Sequence, residues 1–338
     1  MKKILLFCFI TTMIACTPTK QSTIDTTLQT KVDSILQNKM SEIGAISGQA
    51  IVMEVQTGEI KAMVGNSISQ ESGLIRTASL LAALETGKVK LSDTIDVGEG
   101  VYMVHKRELL DHNWHRGGYG KLTTLQGLMV NSHIANYKNI ERAFEEEQVY
   151  FDLLNRMSYG QPENIEGLDD LKASHFITPN DSGWSNTSLA WFCIGYNQQI
   201  SPIQMLTFYN AIANEGKMVK PTLYKGETEV INPQIASKAN IDSLQMALVK
   251  VVTEGLGKPA QSEKVQVAGV SGGSQLSTDE DNSEGRVNTI YSVEYCGYFP
   301  AENPKYSIIV SMNKIGLPAS GGLMAGSVFK EIVDYMNN

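Results

Sequence analysis

The chain has 338 residues, 42% of them hydrophobic and 19% charged, with a formal net charge of −8. That apolar content supports a sizeable core and excludes a disordered chain. The acidic balance, without a basic cluster, excludes nucleic acid as a partner, and of the four cysteines only Cys193 and Cys296 are left to the folded domain, where a bridge between them is open from sequence.

Lys2 and Lys3 precede an apolar run from Ile4 to Ile14, and Met13-Ile14-Ala15-Cys16 resembles a bacterial lipid-attachment box. The run is well short of the ~20 residues that span a bilayer. Residues 1–15 are therefore expected to be a cleaved signal peptide. Cys16 becomes the lipidation site, and its acyl chains anchor the chain to a membrane. This predicts a cell-envelope protein exposed to the periplasm. Residues 16–30 are polar and read as a tether, and residues 31–338 as one folded domain.

Val32, Ile35, Leu36 and Met40 fall at helical spacing and predict a first short helix. Ile46–Val55 and Ile60–Val64 read as strands joined at Thr57-Gly58. Residues 69–260 carry mostly helical patterns and loops. Within them Ser201, Pro202 and Gln204 form a capping-box signature, Met205, Leu206, Tyr209, Ile212 and Ala213 a buried stripe, and Gly216 a stop. A helix from about Pro233 to Glu254 precedes strand-like runs at Val265–Gln275, Asn288–Tyr298 and Tyr306–Asn313. Ala325, Val328, Phe329, Ile332, Val333 and Met336 mark a last amphipathic helix. Strands at both ends with helices between predict an α+β fold, its antiparallel sheet formed from both chain ends. Cys193 and Cys296 lie in apolar runs and read as buried small hydrophobes.

Five segments carry a family resemblance from roughly Gly48 to Lys330: Val52–Met63, Thr77–Lys88, Ile194–Gln204, Ala213–Gly216 with Pro221, and Gly297–Tyr306. In this order and spacing they resemble the transpeptidase domain of class B penicillin-binding proteins. That resemblance implies the serine β-lactamase/transpeptidase fold and a peptidoglycan substrate. The family's usual amino-terminal pedestal domain is not expected here.

Three motifs carry that family's chemistry, and all three depart from it here. The S-x-x-K position aligns with Gly73-Leu74-Ile75-Arg76. Gly73 has no oxygen to acylate, and Arg76 is a guanidinium that cannot act as a base. Shifting by one residue offers Ser72 with Arg76, still without a base. S-x-N aligns with Asn131-Ser132-His133, and K-T-G with Val270-Ser271-Gly272. Ser327–Lys330, Ser311–Asn313 and Tyr137–Asn139 spell similar patterns at the wrong places.

Asp111, His112 and His115 offer a metal-like set, but the surrounding glycine-containing loop lacks a helix to fix ligand geometry. His133 with Ser132 and Ser271 suggests a makeshift Ser-His pair without an orienting acid. Neither metal nor cofactor is expected.

The resulting expectation is a catalytically silent envelope homologue. It binds wall stem peptides or a cell-wall protein partner through Gly73, Ser132, His133, Ser271, Gly272 and Gly273. A second reading is an active D,D-transpeptidase or carboxypeptidase with relocated catalytic residues. A third is an assembly component whose cleft is filled in.

Overall fold

The computed structural model describes residues 20–66, 69–281 and 286–338. The leader and Cys16 lie outside these residues. Helix α1 (Thr26–Ile43) begins where the Asp25 carboxylate accepts from the Thr27 and Leu28 amides, and it ends at Gly44 in the left-handed region. It is a long helix rather than the short one expected, and it overturns the tether reading for residues 22–30. Thr23 is already buried, its hydroxyl donating to the Ile60 and Thr222 carbonyls. The polar composition misled because only Leu28 and Val32 of the first turns face inward.

Strands β1 (Ala45–Glu54) and β2 (Ile60–Gly65) come from one end of the chain, and β3 (Ala268–Asp281), β4 (Arg286–Phe299) and β5 (Tyr306–Ile315) from the other. They form one antiparallel sheet in the order β3-β4-β5-β1-β2, as expected from the sequence pattern. On one face α1 and the last helix, α6 (Gly321–Met336), bury Leu28, Val32, Leu36, Val328, Phe329 and Ile332 against Val52, Val310 and Tyr295. The opposite face carries α2 (Ile75–Glu85), α3 (His133–Ala143), α4 (Pro202–Ala213) and α5 (Lys238–Thr253). Helix α5 starts later than Pro233, because Val230–Asn232 first pairs with Met218–Val219. The middle section also contains short ribbons that the helical pattern did not show, such as Val101–Val104 with Arg107–Leu110.

Helix α4 organises the second face. Ser201 caps it reciprocally with Gln204 and Pro202 opens its first turn, as the sequence signature predicts. All twelve of its residues are buried, so its polar groups must be paired internally. Asn210 donates to the Val55 carbonyl at 2.9 Å and accepts from the Ser307 hydroxyl at 2.7 Å, which bolts the helix to β5 and the end of β1. The Tyr209 hydroxyl lies 2.9 Å from the Leu74 carbonyl and 2.7 Å from Thr77 Oγ1, fixing the start of α2. Cys193 and Cys296 are buried free thiols.

Replacing Asn210 with alanine strands the Val55 carbonyl and the Ser307 hydroxyl in the core. At 1–3 kcal/mol for each of the two unsatisfied groups, Asn210→Ala is expected to cost about 2–6 kcal/mol in urea denaturation. A loss below roughly 1 kcal/mol would mean that apolar packing alone holds α4 to the sheet.

Candidate functional site

Cross-strand partners in an antiparallel sheet share a face, so the register defines rows. On the α4 side the row Val270, Cys296, Ile309, Ile51 is apolar. The next row is Gly272, Glu294, Ser311, Gln49, and the one after it Ser274, Ser292, Asn313, Ser47. Half of this face is therefore polar. A short strap, residues 70–74, crosses it on the way from β2 to α2.

The strap seats itself on these rows through polar side chains. Gln70 Nε2 donates to Ser292 Oγ at 3.1 Å and Ser311 Oγ at 3.3 Å, and Gln70 Oε1 accepts from Asn313 Nδ2 at 2.8 Å. The Ser72 hydroxyl donates to Glu294 Oε2 at 2.7 Å. Both side chains are nearly sealed from solvent, Ser72 at 2% and Glu294 at 3% exposure. Burial pushes the Glu294 carboxyl up to about 7, against the opposing hydrogen bond from Ser72.

The structure brings the three aligned segments together, and among the described residues they meet in direct contact. A Cβ at Gly73 would lie 2.6 Å from the Gly273 carbonyl oxygen and 2.9 Å from its nitrogen. The backbone of α2's lead-in thus rests directly on the edge of β3. A Cβ at Gly272 would lie 2.8 Å from Leu74 Cγ, so the leucine side chain covers that residue. Asn131, in the left-handed region at φ 59°, donates from Nδ2 to the Ser271 carbonyl at 3.0 Å and its hydroxyl at 3.1 Å. The Gly73 nitrogen is closely approached by Gly195, where a Cβ would lie 2.8 Å from it.

Behind the contact, Arg76 is buried and donates only to the Ile194 carbonyl, at 3.4 Å. A cavity of about 10 Å³, the room for one water, lies beside it and is also lined by Asn131, Ser132, Asn136 and Asn139. Arg76 Nε and Asn131 Oδ1 are buried without a partner. Val270, in the lysine's place, belongs to the apolar core.

His133, Ser132 and Ser271 do not form the suggested pair. His133 Nδ1 contacts the Leu110 carbonyl at 2.9 Å, so that nitrogen carries the proton. Burial, with the Arg76 charge adding, depresses this histidine to about 3, which makes it a poor base. Ser132 caps α3, and its hydroxyl donates to Asp111 Oδ2 at 2.7 Å while Asp111 Oδ1 accepts from the Ile134 amide. Asp111 is thus a helix cap rather than a metal ligand. His112 engages Tyr119 and the Val130 carbonyl, and His115 packs edge-on against Trp114. Among the described residues no metal-holding cluster exists.

Sequence reasoning missed Glu294. A lone carboxylate within Ser292-Val293-Glu294-Tyr295-Cys296, in register with Cys296 and Tyr298 at period two, is the signal that points to it.

The contact at Gly73 has a direct consequence for stability. Gly73→Ala inserts a methyl against rigid backbone and is expected to cost about 1–3 kcal/mol. Gly226→Ala, whose Cβ meets nothing within 4 Å, is the neutral control. Equal melting temperatures for the two variants would contradict the direct backbone contact.

A family model for the penicillin binding protein transpeptidase domain matches residues 48–334. The chain is 25% identical to penicillin-binding protein PbpB of Mycolicibacterium smegmatis, over 94% of this chain and 54% of that protein. It is 22% identical to peptidoglycan D,D-transpeptidase FtsI of Escherichia coli, over 84% and 49%. The chain spans about half the length of these curated relatives. The transpeptidase domain of penicillin-binding protein 3 from Burkholderia pseudomallei superposes with a TM-score of 0.79 at 21% identity, covering 94% of this chain and 95% of that one.

Proposed function

The chain belongs to the penicillin-binding-protein transpeptidase domain family, and we propose that it serves there as a catalytically silent member acting in cell-wall processes by assembly rather than by acyl transfer. One observation carries this reading. The position of the nucleophile is a glycine whose missing Cβ would lie 2.6 Å from the carbonyl oxygen of Gly273. A near-attack geometry places reacting atoms about 3–3.5 Å apart, with the substrate between nucleophile and strand. Here that space is occupied by protein.

The same contact weighs against peptide binding at the former cleft. Strand addition needs free backbone groups along an edge. At Ser271 and Gly273 the edge already meets Asn131 and Gly73. The partner we favour is therefore an envelope protein that docks on the outer surface, not a wall stem peptide. Lipid anchoring through Cys16, after removal of residues 1–15, would hold the domain at the membrane facing the periplasm. Among the described residues no helix is long and apolar enough to cross a membrane.

A second reading, an active D,D-transpeptidase or carboxypeptidase with relocated groups, has one observation in its favour. Ser72 and Glu294 form a hydroxyl–carboxyl pair at 2.7 Å. Its burial beneath Leu74 and Gly272 leaves no route for substrate.

The two readings separate in one assay. A fluorescent β-lactam is expected to leave no band on denaturing gels with either wild type or Gly73→Ser. A band that requires folded protein and is abolished by Ser72→Ala would establish the second reading. Isolated peptidoglycan sacculi are expected not to co-sediment the domain, and their doing so would restore the wall as its ligand.

A further inference from the structure

We propose that the contact closing the former cleft is a proton-operated latch, in which the strap 70–74 stays seated on β3 and β4 while Glu294 is protonated and is released as Glu294 ionises. The geometry is that of a carboxyl without a counter-charge in contact. Glu294 Oε2 accepts from Ser72 at 2.7 Å and Oε1 from Ser311 at 3.4 Å. These partners are neutral hydroxyls, and the neutral Gln70 amide beside them also favours the ionised form; a Cβ at Gly272 would lie 3.0 Å from Oε2. Ionising this group in place puts an unpaired charge in the core, which favours any state that lets water reach it.

Arg76 of α2 is a cation whose field reaches Glu294, and it favours the ionised form without a hydrogen bond to it. Tyr209 of α4, Tyr159 and Cys296 of β4 lie within electrostatic range and are held neutral by burial. β3 contributes Gly272, β5 contributes Ser311, and the start of α6 approaches with the Gly321 backbone. Glu71, on the strap itself, accepts from the Asn197 amide and is raised by burial, so it titrates with the same sign.

The strap is built to part from the sheet here. It sits on the two polar rows, where Gln70 and Ser72 make hydrogen bonds that water can replace. Its other bonds run to the 195–200 turn, where Gln70 pairs with Ile200 and the Ser72 amide donates to the Gly195 carbonyl, and at its far end to α4, where the Tyr209 hydroxyl holds the Leu74 carbonyl and serves as the hinge. Strap and turn therefore move as one piece, with Leu74 the only large apolar side chain the strap withdraws from β3.

The sign follows from the carboxyl's position. Its pKa is about 7 in the seated state and 4.5 when solvated. Seating is then fully favoured below 4.5, weakens as pH rises towards 7, and is constant above it, with a ceiling of roughly 300-fold on the change.

Hydrogen exchange tests this on the full domain. Protection factors at the Gly73, Leu74, Gly272 and Gly273 amides, corrected for intrinsic rates, are compared at pH 5 and pH 8. A fall of at least about tenfold is expected in wild type, with little or none in Glu294→Gln. A pH-independent wild type overturns the proposal, as does an equal fall in Glu294→Gln, which would assign the effect to Glu71. An equal fall at the Leu206 amide in α4 also overturns it, because the change would then be global. Should Glu294→Gln fail to fold, Ser311→Ala removes a donor to the ionised carboxylate and must move the midpoint to higher pH. A midpoint that stays put rejects the latch. The outcome is independent of β-lactam labelling, so it stands or falls apart from catalytic silence.

Discussion

The close approach of two backbones, at Gly73 and Gly273, constrains the rest of the site. It is available only without a Cβ at Gly73, and the Gly195 backbone supports it from behind. Once the strap is this close, Leu74 has a place to go, over Gly272. Fully burying a leucine side chain is worth roughly 1.5–3 kcal/mol, comparable to the strain a larger residue at 73 would introduce. Asn131 then reaches across to Ser271, and the active-site floor of the fold becomes a packed interface.

What holds that interface is less usual for a core. The apolar row through Val270 and Ile309 packs against helices in the ordinary way, but two rows further along are hydroxyls, amides and one carboxyl. A polar group buried with its partners contributes about 1 kcal/mol, and left unpaired it costs more than that. Gln49 Oε1 and Asn313 Oδ1 are unpaired beside a second cavity of about 10 Å³. The strap is thus joined to the sheet by bonds of modest net value, around a carboxyl that is near its midpoint at neutral pH. Strength is concentrated instead at α4, where Asn210 and Tyr209 bind the sheet and α2 from a fully buried helix.

Much of this was legible in the sequence, for reasons specific to each element. Ser201-Pro202 with Gln204 carries its own capping chemistry, so the start of α4 could be placed within a residue. The end strands alternate or run apolar, and the order of five segments fixed which parts of the chain approach one another. The tether was misread because Thr26–Thr30 is polar on the helix's outer side, where polarity says nothing about helicity. Asp111 was set among metal-like residues, yet its oxygens serve the amide and hydroxyl at the start of α3. The closure was legible only as one open alternative among three. A contact between glycines two hundred positions apart leaves no periodicity, and the absent side chain looks the same in sequence whether the space is open or filled.

If the domain is catalytically silent, as proposed, that distinction bears on how the chemistry was lost. Were the motif positions merely substituted, returning a serine, two lysines and the S-x-N pair would return the enzyme. Here each position has been absorbed into structure. A side chain at 73 meets backbone. A lysine at 270 would place an ammonium in the row of Cys296, Ile309 and Ile51, at a cost of several kcal/mol unless paired. His133 is committed to the Leu110 carbonyl and Ser132 to capping α3. Because these commitments share the same few residues, their reversal is coupled, and coupled changes are not additive. On the proposed silent reading, the barrier to reactivation lies in the backbone path of residues 70–74, and a displacement of the strap would be needed to reopen the space beside Gly73.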